Sequence, residues 1–164
     1  MFNTSKHCVF FLVLIVLFVA SCTSEKEQIS KDIVGLEENV FIDQFKVDTI
    51  TALQLIGLYS TYANKYSEDS LSAGYLFKGA ELSARLSNHA QSINLFKKVC
   101  TEHPNFSERP IALFKIGFYA EEIKDYQTAS VYYKKFIEEY PDDEFADDAA
   151  YLLKNLGQPD NAIL

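Results

Sequence analysis

The sequence is poor in residues that break or cross-link a fold. It has no Trp, six Gly and four Pro in 164 residues, so few positions demand a turn or forbid a helix. Its three cysteines, Cys8, Cys22 and Cys100, are an odd number without close spacing, which suggests neither a disulfide framework nor a zinc site. Basic side chains are outnumbered, fifteen against twenty-three acidic ones, giving a formal charge of −8 and a pI near 4.8. Nucleic acid binding needs a basic patch, so this balance weighs against it and favours neutral or basic polypeptide partners. Also missing are G-x-S-x-G, H-E-x-x-H, a phosphate-cradling glycine loop and a Ser, His and Asp set that can be placed together. The sequence predicts no enzyme, no cofactor and no metal.

What is present is bulk: thirteen Phe and ten Tyr, with 48% apolar and 23% charged residues. That is the balance of one globular domain of packed helices. The longest apolar run, Val9 to Ala20, matches a signal-peptide core of about 7–15 residues and falls short of the ~20 that span a bilayer. It ends in Val19-Ala20-Ser21-Cys22, which resembles the lipobox of bacterial lipoproteins. The resemblance implies cleavage after Ser21, a diacylglyceryl thioether on Cys22 and acylation, such as palmitate, of its freed amine. Residues 1–21 are then a signal peptide, which takes Cys8 and Lys6 with it. Residues 22–31 are the lipidated N-terminus with a polar tether, TSEKEQISK, and residues 32–164 a helical domain. Two or three acyl chains suffice for stable membrane attachment. By analogy with enteric lipoproteins, the lack of Asp after Cys22 favours the outer membrane, facing the periplasm.

Ile29, Ile33, Leu36 and Val40 fall at helical spacing and predict a short first helix over about 30–41, followed by an irregular link through Phe45. From Asp48 a shift of 37 residues brings like onto like. Tyr59, Phe96 and Tyr133 coincide, as do Tyr62, Val99 and Phe136, then Ala63, Cys100 and Ile137, and then Ser67, Pro104 and Pro141. Downstream the match continues with Leu76, Leu113 and Ala150, with Phe77, Phe114 and Tyr151, and with Leu82, Tyr119 and Leu156. A period of this size marks a solenoid of helix pairs, each too small to bury its apolar face alone. Asn88 and Asp125 are placed to cap second helices, and Pro104 and Pro141 to close them. The units are a lone second helix at 48–66, pairs at about 70–103 and 108–140, and a last first-type helix at about 144–156. One side of that last helix, with Leu152, Leu153 and Leu156, is left without a cover.

The unit resembles the tetratricopeptide repeat (TPR). Gly117, Tyr126, Ala129, Tyr133 and Pro141 match its small, aromatic, small, aromatic and proline positions; one period earlier Ala80, His89, Ser92, Phe96 and Pro104 match more loosely. The resemblance implies an all-α, TPR-like hairpin solenoid of about three 37-residue units in a single domain. The spacing of 37 is similar to that in repeats of the outer-membrane barrel-assembly lipoprotein and the Tol-Pal coordinator.

In that family the first helices line a partner groove. Carried over, its positions are Phe77, Glu81 and Arg85, then Phe114, Phe118 and Glu122, then Tyr151 and Asn155. An aromatic ladder flanked by charges suits an extended or helical peptide. The same stripe also reads as core packed on the N-terminal helix. Cys100 reads as a small buried hydrophobe, His89 as packing, and the acidic run at 142–148 as a solvated helix start. The expectation is a membrane-anchored, non-enzymatic scaffold or adaptor binding a protein or peptide of the cell envelope, with outer-membrane protein assembly one such setting. Two alternatives are a homo-oligomeric structural subunit that pairs through its open last helix, and an accessory protein holding a glycan or peptidoglycan ligand.

Overall fold

A computed structural model describes residues 25–41 and 46–158. The signal run, Cys8, the lipobox with Cys22, Phe45 and residues 159–164 lie outside them. The described residues form seven helices: α1 (25–37), α2 (Thr49–Lys65), α3 (Ser72–Arg85), α4 (His89–Glu102), α5 (Arg109–Glu122), α6 (Tyr126–Glu139) and α7 (Ala146–Lys154). From α2 onward each packs on the next, as a hairpin solenoid requires. None of these helices is long and apolar enough to cross a membrane.

The 37-residue period of the sequence reappears in the backbone. The starts of α3, α5 and α7 fall at Ser72, Arg109 and Ala146, and the ends of α2, α4 and α6 at Lys65, Glu102 and Glu139. The tight turns repeat as well. Among the described residues, Ser87 (φ 58°) and Lys124 (φ 62°) are the two non-glycine residues with positive φ. The following amides, of Asn88 and Asp125, donate back to the carbonyls of Ser83 and Ala120, both at 2.8 Å. Asn88 and Asp125 then cap as expected, accepting from the amides of Gln91 (3.2 Å) and Thr128 (3.1 Å). Between hairpins the amides of Asp69, Phe106 and Asp143 donate to the carbonyls of Tyr66, His103 and Tyr140, one set per period.

The core follows the same repeat. Tyr59, Phe96 and Tyr133 are buried, as are Tyr62, Val99 and Phe136. Gly117 lets Tyr133 lie against α5: a Cβ there would stand 2.7 Å from two of its ring atoms. His89 stacks on Tyr119 with ring centroids 5.1 Å apart. Cys100 is buried and free, and burial pushes its thiol up to about 11.

Three expectations change. The first helix spans 25–37 rather than 30–41, because Ile29 and Ile33 mark its buried face and ion pairs of Glu25 with Lys65 and Lys26 with Asp69 fasten its first turn. Residues 25–31, expected in a polar tether, therefore belong to a helix. Nor is α2 a lone second helix. The start of α1 meets Lys65 and Asp69, while its end, Glu37, meets Tyr59 and Lys78. That places α1 antiparallel to α2 and parallel to α3, as the first helix of a first hairpin. Its connection to α2, residues 38–48, is longer than the three-residue turns at 86–88 and 123–125, which is why the period misses it. Finally, Leu152, Leu153 and Leu156 are partly buried against the core. The exposed apolar residues of α7 are Ala150 and Tyr151.

Candidate partner-binding face

The residues expected to line the groove fall on α3 and α5 and on α7 with the turn just after it, but their environments differ. Phe77 packs edge-on against Phe96 at 5.2 Å and meets Phe106 at 6.0 Å. Phe114 contacts Tyr133, Phe136 and Phe145 at 5.2–6.0 Å. Both are half-buried and hold each first helix to its own second helix. Tyr151 is the third rung of that ladder and has no following second helix among the described residues, so it stands 49% exposed. One turn along, Phe118 is 40% exposed and touches Tyr119 at 5.5 Å. The ladder is thus core at Phe77 and Phe114, with open apolar surface at Phe118 and Tyr151. The ring contacts of Phe77 and Phe114 are with aromatics of α4 and α6 and of the links that follow them.

The polar positions stay on this face. Glu81 Oε1 accepts from Lys115 Nζ at 2.6 Å, tying α3 to α5. Glu122 and Arg85 are exposed, and the Arg85 guanidinium lies over the ring of Phe41, 5.6 Å from its centroid. The Asn155 side-chain amide donates to the Tyr151 carbonyl at 2.8 Å and closes the end of α7.

The period did not single out Glu37 and Glu121, which take repeated contacts beside this face. Tyr59 Oη donates to Glu37 at 2.6 Å and Tyr133 Oη to Glu121 at 3.0 Å. Tyr59 and Tyr133 are two periods apart. Burial, and then the adjacent carboxylate, push both phenols far above their ordinary range. Burial also works on Glu37, but hydrogen bonds from Lys78 and Tyr59 outweigh it and hold that carboxyl below the usual range. The signal that could have found this pair was Glu at the end of a first helix facing Tyr in the second. The longer 38–48 connection hid it.

The exposed members of the expected groove are Phe118, Tyr151, Arg85 and Glu122. Among the described residues, no group of three or more His, Cys, Asp and Glu side chains could hold a metal. Residues 111–143 match the family model described as tetratricopeptide repeat, a stretch that holds Gly117, Tyr126, Ala129, Tyr133 and Pro141. No curated protein matches the chain. With the packing of the seven helices, the match makes the described domain an all-α, TPR-like hairpin solenoid.

Proposed function

We propose that the chain is a non-enzymatic scaffold or adaptor of a bacterial cell envelope, held to a membrane by lipid on Cys22, and that it docks a polypeptide partner on the face of its first helices. TPR repeats generally mediate protein–protein interaction, and the observation that carries the reading here is the pair of exposed rings, Phe118 and Tyr151. Exposed aromatics beside a few polar groups are what interface anchors look like. The lipobox-like Val19-Ala20-Ser21-Cys22 supports the anchor, and the 37-residue spacing supports an outer-membrane assembly setting. A glycan ligand would need Phe114 open as well as Phe118, and Phe114 is packed, so the polypeptide reading comes first. The uncovered Ala150 and Tyr151 favour self-association through α7 as a second reading. Light scattering on the purified chain tests that one, and a monomer rejects it.

Two comparisons test the proposal. Quantitative affinity purification of the parent chain and of Phe118→Ala/Tyr151→Ala is expected to lose one copurifying protein that Val131→Ala, on α6, retains. An unchanged set of copurifying proteins would reject the docking face. Cys22→Ala is expected to move the chain from the membrane to the soluble fraction and to abolish palmitate incorporation. Retention with the membrane would reject the anchor.

A further inference from the structure

The docking face carries a cleft of about 450 Å³ at its N-terminal end, within the roughly 300–1,000 Å³ typical of binding sites. Val40 and Phe41, from the connection after α1, wall it on one side, and Phe77 and Leu82 of α3 line the other. Most of its charges are already answered. Lys78 Nζ lies 2.8 Å from Glu37, and Glu81 lies 2.6 Å from Lys115. Arg85 is the exception: among the described residues no carboxylate lies within ion-pair distance of it.

Arg85 is nevertheless held in place. Its Cζ lies over the Phe41 ring, 5.6 Å from the centroid, and its N–H donors, which a carboxylate can engage in bidentate fashion, meet no carboxylate among the described residues. A cation fixed beside an apolar cleft loses less entropy on pairing than a free surface arginine would. The connection that supplies Phe41 is longer than the three-residue turns of the two later hairpins.

Resting on the docking reading above, we propose that this cleft sets partner choice. It takes a bulky apolar side chain of the docked polypeptide between the exposed Phe41 and the half-buried Phe77, while Arg85 pairs with an Asp or Glu of the same segment. In an extended segment residues two apart face the same side, which fixes the spacing. A formal charge of −8 repels acidic segments as a whole. The determinant is therefore a single acidic residue in an otherwise neutral or basic stretch.

The test is a positional-scanning library of decapeptides with both ends blocked, bound to the full chain in mild detergent. The expected result is selection for Asp or Glu two positions from Leu, Ile, Phe or Tyr. Affinity is expected to fall about 10- to 100-fold when Arg85→Gln is made or when the peptide carboxylate becomes an amide, with no further loss when both change. Arg85→Gln is expected to melt at the parent's temperature, which separates recognition from folding. Binding without acidic selection, or an acidic preference that survives Arg85→Gln, would overturn the inference and leave the docking face standing. If no peptide binds, the docking face itself fails and this inference with it.

Discussion

Gly117 lies so close under the ring of Tyr133 that a Cβ added to it would meet Cδ1 and Cε1 at 2.7 Å. The ring has little freedom to retreat, because Tyr133 is buried and its hydroxyl donates to Glu121 at 3.0 Å. One period earlier the same positions are Ala80 and Phe96, a pair with a Cβ and without a hydroxyl tether. Helix propensity alone would make Gly117→Ala favourable by roughly 1 kcal/mol. Overpacking costs about 1–3 kcal/mol and wins. Denaturant unfolding is expected to show Gly117→Ala less stable than the parent, with part of the loss recovered in Gly117→Ala/Tyr133→Phe, which restores the earlier unit's pairing. A stabilised Gly117→Ala would contradict the packing.

Ser87 and Lys124 turn the chain at φ 58° and 62°. Side-chain sterics make that conformation costly by roughly 1–2 kcal/mol, whereas glycine adopts it freely at some cost in unfolded-state entropy. Ser87→Gly and Lys124→Gly are each expected to stabilise the chain by about 0.5–1 kcal/mol. The sites lie in separate hairpins, so their effects are expected to add. Chemical denaturation of the two single variants and the double variant checks this, and a loss of stability in either single variant would refute it.

Arg109 opens α5, where a cation sits against the helix dipole, yet it is well buried for an arginine. Its guanidinium donates at 2.5 Å to Glu139 and at 2.5 Å to the hydroxyl of Tyr140, and at 3.4 Å to the carbonyl of Cys100. It thereby clamps the ends of α4 and α6 to the start of α5. Arg109→Ala is expected to cost about 1–3 kcal/mol, less than a fully buried pair would, since Glu139 is partly solvated. Thermal melts measure it; a change within about 0.5 kcal/mol of zero would mean that the clamp is only a surface contact.

Several carboxyls are held below their ordinary range: Asp69 chiefly by the hydrogen bond from Lys26, Glu139 by that from Arg109, and Glu37, against burial, by Lys78 and Tyr59. The unfolded chain takes up protons at a higher pH than the folded one, so this stability is present above about pH 4–5 and is lost as pH falls through the depressed values. At the alkaline end the raised phenols of Tyr59 and Tyr133 act the other way. Their contribution is complete below about pH 10 and is lost above it, where the unfolded tyrosines ionise first. A melting temperature that is flat near neutrality, falling on both sides, is expected. No loss on acidification to about pH 3 would contradict the assignments.

The repeat was legible because each unit uses the same few residues for the same contacts: Tyr59, Phe96 and Tyr133 inward, and Asn88 and Asp125 as caps. The first hairpin was not. Its longer 38–48 connection moves α1 out of the 37-residue register, so Ile29 and Ile33 have no counterparts to align with. The aromatic ladder was legible as a row but not as two environments. Whether Phe114 or Tyr151 is covered depends on the presence of a following second helix, and no residue of the ladder encodes that. Arg85 looked like one more charged position, since only the fold brings Phe41 beneath it.

The most direct test of the docking face is photo-cross-linking in cells with a benzophenone side chain placed singly at positions 118, 151 and 131. The first two lie on the first-helix side, and Val131 is equally open on α6. Adducts to one shared protein are expected from positions 118 and 151, and none to it from 131. Adducts to that protein from 131 alone, or from all three sites alike, would contradict the docking face.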